Sequence, residues 1–317
     1  MPTPASPARP PRLNAAEFAA LYARVRRVAG TGHGAPRRGA LEDITRRRVL
    51  AAAAEVRSGR TVTMAARVET ERGPDDPEPC EHVMTGAVRG GIESTGIQFA
   101  TDRFTMNVHG DADSHLDALC HVIYDGTLYG GVDANSVTAS GATALSVEVA
   151  RDGIVGRGVL LDIPRLRGVR WLEPGDDVTV DDLTAAERAQ HVRVNEGDLL
   201  FVRVGHRRRR AELGPWDAAD LRAGLHPSAA EFLRDRRVAV LGGDGNNDTA
   251  PSSTEGVDFP VHVLAIHAMG LHLLDYLQFE DLVEVCEAEE RWSFLCVIAP
   301  LRLPRATGSP VNPIAVF

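Results

Sequence analysis

The sequence predicts one α/β domain built on a mixed β-sheet. Two observations carry this: short apolar runs of buried-strand length recur along the chain, and helical stretches lie between them. With 317 residues, 44% of them apolar and 25% charged, the chain can bury a full core.

Residues 1–13 are rich in proline and alanine and read as a disordered tail; they contain no apolar run of the kind a secretory signal needs. Residues 14–317 read as a single catalytic domain. Asn14 to Val28 has helical spacing, and the Gly/Pro/Arg stretch Ala29 to Gly39 is a loop. Leu41 to Ser58 is a second helix, capped by Asp43 or Thr45 and stopped by Gly59. Thr61 to Val68 alternates as a strand, and the acidic, proline-rich Gly73 to Glu81 is a loop. Gly96 to Phe104 is a further strand. Gly158 to Ile163, Asp198 to Val204 and Arg237 to Leu241 are continuous apolar runs suited to strands buried on both faces. Val180 to Gln190 and Ser228 to Asp235 are helices, the latter after Pro227. For His262 to Tyr276 periodicity leaves strand and helix open.

Composition excludes several function classes. A net charge of -9 argues against a nucleic-acid partner, which requires surplus positive charge. The sequence contains no lysine, so Schiff-base and Walker-A chemistry are excluded. Cys80, Cys120, Cys286 and Cys296 form no C-x-x-C pair, as expected of a reduced, cytoplasmic protein. No apolar run reaches transmembrane length, so no membrane partner is expected.

The stretch from Met106 to Asp133 concentrates the groups that bind metal or move protons: His109, Asp111, Asp113, His115, Asp117 and His121. Imidazoles and a carboxylate can hold a divalent ion and leave positions open for water or substrate. In an extended backbone, His115 and Asp117 share a face. The D-x-x-x-H spacing suits a helical turn that brings His121 to the same side.

The stretch Ser114 to His121 (SHLDALCH) resembles the H-x-D-x-x-x-H motif of the putative cyclase family, which includes bacterial kynurenine formamidase and isatin hydrolase. The resemblance continues in order through Leu41 to Met64, Gly156 to Ile163, Trp171 to Thr179, Val194 to Gly205, Gly224 to Leu233 and Asp258 to Asp275. It implies a swivelling β/β/α fold and assembly as a homo-oligomer, a dimer or tetramer. By the same resemblance His115 and Asp117 are metal ligands, His121 is the general base or acid, and His262 is a later histidine at the site. Asp275 falls near a glutamate that ligates a second ion in members of the family; the shorter aspartate speaks against a second ion. The family's upstream histidine position holds Asp111, so either His109, displaced by two residues, or Asp111 completes the set; His109 is our assignment. Asp113 is expected to orient a ligand or to face solvent.

Other features have simpler readings. Cys120 is a buried thiol. Tyr124, Tyr129 and Trp216 either line a pocket or fill the core. His206 to Arg210 is a solvated loop unless one arginine clamps a substrate carboxylate. Gly242 to Asn247 is a strand-end turn from which Asp244 or Asp248 reaches the site; it lacks the residues of a phosphate loop. His267 and His272 are structural.

The function read from the sequence is a hydrolase of a small amide, lactam, ester or lactone. Zn²⁺ or Mn²⁺, held by His109, His115, Asp117 and His262, activates water, and His121 moves the proton. The alternatives are a metal-dependent cyclase or dehydratase in biosynthesis, and a non-catalytic, metal-stabilised binding protein.

Overall fold

The computed structural model describes residues 10–27, 38–86, 97 and 99–317. Most of the expected N-terminal tail and of the Ala29–Gly39 loop, and the start of the expected strand at Gly96, lie outside them. Among the described residues a nine-stranded sheet forms the centre. Its strands, in chain order, are β1 Thr61–Thr63, β2 His115–Asp117, β3 Ile154–Asp162, β4 Leu199–Arg203, β5 Val240–Gly243, β6 His272–Asp275, β7 Ser293–Ile298, β8 Gly308–Pro310 and β9 Ile314–Val316. In space they run β1-β9-β7-β3-β4-β5-β6-β2-β8. β3, β4, β5 and β6 are parallel neighbours. Antiparallel strands flank them on both sides. This is the mixed sheet flanked by helices that the sequence predicts.

The continuous apolar runs follow from burial on both faces. Leu161, Leu200, Val202, Leu241 and Leu273 join one core layer; Leu160, Leu199, Phe201, Val240 and Leu274 join the other. Helix α1 (Ala15–Val25) belongs to the first layer through Phe18, Leu21 and Val25. Asn14 caps it, accepting the Ala16 and Glu17 N–H groups at 3.0 Å each while Glu17 returns a bond to Asn14 N. The first layer also takes α3 (Ile163–Arg167), α4 (Val180–Ala189) and α6 (Ala229–Arg236), while α8 (Glu280–Ala288) serves the second. Each fully buried Leu or Phe contributes about 1.5–3 kcal/mol, so the layers rather than any single contact hold the sheet.

Several expectations are corrected. The expected second helix is a 3₁₀ turn, Gly39–Asp43, followed by α2, Arg46–Ala53; Thr45 is its cap, and Asp43 pairs with Arg27 and Arg237. The basic run is not a loop. His206–Leu213 is helix α5, with His206 and Arg207 buried at its start. Five polar residues in succession leave no apolar stripe to reveal it. The segment that periodicity left open is both things in turn: a short helix Pro260–His262 (α7), a π-helix Val263–Met269, then β6. Gly270 makes the break at φ 71°; a Cβ there would also lie 2.5 Å from the Tyr129 ring.

Candidate metal centre

β2 lies between β6 and β8 in the sheet, and its register sets the site. Asp275 stands opposite His115 and Leu273 opposite Asp117. Directly opposed residues share a face, so His115, Asp117 and Asp275 project together. The two outer members come from outside the sheet: His109 from the turn before β2 and His262 from the short helix that starts at Pro260.

Asp117 is the hub. Its Oδ1 lies 2.8 Å from His109 Nδ1 and 3.6 Å from His115 Nε2. Its Oδ2 lies 3.4 Å from His262 Nε2, which is also 3.4 Å from Asp275 Oδ2. His109, His115 and Asp117 form one group able to hold a metal ion; Asp117, His262 and Asp275 form a second. Asp111 belongs to neither group, and its Oδ1 accepts the Tyr276 hydroxyl at 2.7 Å. Asp275 makes this approach despite its shorter side chain, because the strand register sets it opposite His115.

Neighbouring groups fix each ring and carboxylate. The Asp113 carbonyl meets His115 Nδ1 at 2.8 Å, leaving Nε2 toward Asp117. Thr307 Oγ1 meets His109 Nε2 at 2.9 Å, leaving Nδ1 inward. Asp248 Oδ2 lies 2.5 Å from His262 Nδ1. Asn247 donates to Asp275 Oδ1 from its side chain, and from its backbone at 3.3 Å. Such partners set which nitrogen or oxygen is available to an ion. Asp113 is buried rather than solvent-facing, and its carboxylate accepts the Glu69 N–H. The strand-end turn thus supplies Asp248 to the site, while Asp244 accepts the Val204 and Gly205 N–H groups instead. Thr307 had no signal in the sequence, because it arrives from a distant segment.

The electrostatics fit a cation. Burial would raise the Asp117 carboxyl, but the charge of His121 and the contacts with His109 and His262 hold it well below the usual range. Burial would depress His262, yet Asp275, Asp117 and Asp248 hold its imidazole well above the usual value. Asp117 Oδ2 is buried and accepts no hydrogen bond among the described residues. Buried carboxylates with an unsatisfied oxygen are costly unless a cation meets them. The residues present therefore fit a divalent ion.

His121 lies beside this set. Its ring stacks on His109 at 3.8 Å between centroids and 9° between planes. Burial pushes it down to about 4, against the pull of Asp117 and with help from the other histidines, so it is neutral near pH 7. The expected helical turn is absent: residues 118–121 form a hydrogen-bonded turn, His121 N to Ala118 O at 2.9 Å. Burial pushes the Cys120 thiol to about 11, which makes it a poor nucleophile.

A cleft of about 600 Å³ opens onto these residues. His109, His115, Asp117, His121, His262 and Asp275 all border it, with Tyr124 and Asn246. Tyr129 is core instead, and Trp216 packs against His206 and Arg209. His267 is held by Tyr22 and Thr127, away from the centre.

Comparison with known proteins supplies the family. The profile of the family described as putative cyclase matches residues 41–247. A crystal structure of a novel cyclase is 30% identical, with a TM-score of 0.79, and the alignment covers 89% of this chain and 94% of that one. Isatin hydrolase A from Ralstonia solanacearum shares the fold at 22% identity, with a TM-score of 0.56 over 81% of this chain and 92% of its own. A predicted metal-dependent hydrolase from Bacillus stearothermophilus does so at 18% identity, with a TM-score of 0.50 over 81% and 97%. No match was found among curated proteins. The sequence match and the shared architecture agree with the histidine and aspartate constellation, and the chain is an enzyme of the putative cyclase family.

Proposed function

We propose that the protein hydrolyses a small amide, lactam, ester or lactone with the help of a divalent metal, Zn²⁺ or Mn²⁺. The observation that carries this reading is the division of Asp117 between two ligand groups. His109, His115 and Asp117 would hold one ion, and Asp117, His262 and Asp275 a second. When bound, such an ion polarises a carbonyl and acidifies a water molecule.

The protein's own groups do the rest. His121 is neutral and borders the cleft, and among the described residues no hydrogen bond engages its ring nitrogens. It takes a proton from the attacking water at a ring nitrogen and returns it to the leaving group. Its stack on His109 holds the ring in place. Tyr124 and Asn246 position the substrate, and Ile123 and Phe259, exposed at the cleft, limit water once a substrate is bound.

A cyclase or dehydratase would use the same base to remove a proton beside a carbonyl, and the family description keeps that reading in view. Turnover in ¹⁸O-water separates the two, because only hydrolysis places solvent oxygen in the product. A closed structural site is disfavoured, because the groups are carboxylate-rich and open to the cleft. Four buried free thiols support a reducing, cytoplasmic setting. We assign a homo-oligomeric state on one observation. The ribbon of Glu81–Gly86 paired with Thr101–Thr105 exposes Met84 and Phe104, and a lone two-stranded ribbon is only marginally stable.

Elemental mass spectrometry tests the centre, with a His115→Ala/Asp117→Ala double variant beside the unaltered protein. Stoichiometric metal, lost in a still-folded variant, is the expected result. A chain that takes up neither Zn²⁺ nor Mn²⁺ would refute the reading.

A further inference from the structure

We infer that the cleft selects a substrate with an apolar body and a cationic or N–H-donating group, and that Asp111 sets this preference against carboxylate-bearing compounds. The inference rests on the hydrolase reading above. Its first support is that Asp111 borders the cleft yet stands outside both ligand groups. Its charge is therefore not spent on an ion.

Asp111 is also held rigidly. The Tyr276 hydroxyl binds its Oδ1 at 2.7 Å. Tyr276 is itself fully buried, with its N–H on the Gly245 carbonyl at 3.0 Å and its own carbonyl accepting Ser114 Oγ at 2.6 Å. Arg207 donates to the same carbonyl and to that of Ala112, next to Asp111. A carboxylate on such a support acts as a fixed recognition group rather than a swinging surface acid.

The second support is the sign of the wall. Among the described residues lining the cleft, none is arginine, and the chain has no lysine. The arginine clamp considered from the basic run is not formed. Arg207 spends its donors on the carbonyls of Ala112, Tyr276 and Leu277, and Arg210 on Asp75 and Glu69. Arg222, behind the Phe259 ring, is bound to the carbonyls of Asp248, Ala218 and Ala219. Asp258 adds a second acid to the lining. Away from the ion ligands, the charged side chains that border the cleft are thus Asp111 and Asp258, both acidic, and they favour a positive or N–H-donating group on the part of the substrate they face.

The remaining wall is apolar: Val122, Ile123 and Tyr124, with Val257, Phe259 and Val263. Ile123 is 51% exposed and Phe259 46%. Such exposed large side chains suit an aromatic or alicyclic body.

The test uses zinc-loaded protein and benzohydroxamates, which keep the metal-binding group constant. They carry an aminomethyl, methyl or carboxylate substituent at the meta or para position, and binding is read by calorimetry. The expected order is aminomethyl, then methyl, then carboxylate, with the ends on the order of tenfold or more apart. Asp111→Asn, which is isosteric and lies outside both ligand groups, should compress that range and leave the methyl compound unchanged. Tyr276→Phe should shift the order less. Equal binding of all three, or an order untouched in Asp111→Asn, overturns the specificity inference alone. Failure of every hydroxamate to bind a zinc-retaining protein overturns the hydrolase reading and this inference with it.

Discussion

Asp248 holds His262 from behind: its Oδ2 lies 2.5 Å from His262 Nδ1, and its two oxygens also accept the Val261 and His262 N–H groups at 2.6 and 3.0 Å. With Nδ1 engaged, Nε2 is the nitrogen left to face Asp117 and Asp275. Replacing Asp248 by Asn keeps the shape but removes the charge that fixes the ring. The expected result is a metal affinity about 10–100-fold weaker for the ion at His262. The His109 and His115 group should be spared. Competition with a chelator measures this, and two unchanged affinities would show that Asp248 has no such role.

His121 is predicted to serve turnover and not metal retention. His121→Ala should lower kcat by about 10²–10⁴-fold while elemental analysis finds the metal content unaltered. Loss of metal in that variant would place His121 among the ligands instead.

Arg207 ties the segment before β2 to the end of β6 by donating to Ala112, Tyr276 and Leu277. Arg207→Met removes the donor from the Ala112 and Leu277 carbonyls, while that of Tyr276 keeps the Ser114 hydroxyl, and should cost about 2 kcal/mol or more. Arg207→Lys should recover little, because an ammonium cannot reproduce the planar fork. Urea denaturation gives both numbers. A lysine variant as stable as the parent would mean that the fork geometry is irrelevant.

His272 is a liability at low pH. It is fully buried in β6, and among the described residues neither ring nitrogen has a hydrogen-bond partner. Burial pushes it down to about 4, with Arg38 adding to the effect and Asp117 opposing it. Because the folded value lies below the unfolded one, its contribution to stability is complete above about pH 6.5 and is lost as pH falls toward 4. His272→Leu should match or exceed the parent's stability at pH 7.5. Its advantage should then grow by at most about 1.4 kcal/mol per pH unit on acidification. Denaturation curves at pH 7.5 and 5.0 decide it, and parallel losses in both proteins would count against the idea.

The sequence by itself determined the α/β class, the buried strands β3, β4 and β5, and the face shared by His115 and Asp117. These are local consequences of apolar run length and strand alternation, which neighbouring residues carry between them. It also singled out His109, His121 and His262 as residues of one site. Only the tertiary structure decided how they meet. Asp275 reaches the centre because β6 pairs with β2 in a register that no local pattern encodes. His109 rather than Asp111 joins the first group because Thr307 and Asp117 orient its ring while Tyr276 takes Asp111. The helix at His206–Leu213 was hidden because its buried start is created by contacts with distant carbonyls and not by an apolar stripe. The stretch from His262 to Tyr276 changes from π-helix to strand at Gly270, where the Tyr129 ring leaves no room for a side chain. Local pattern specifies which face a residue occupies; which distant residue stands across from it is a property of the packed sheet.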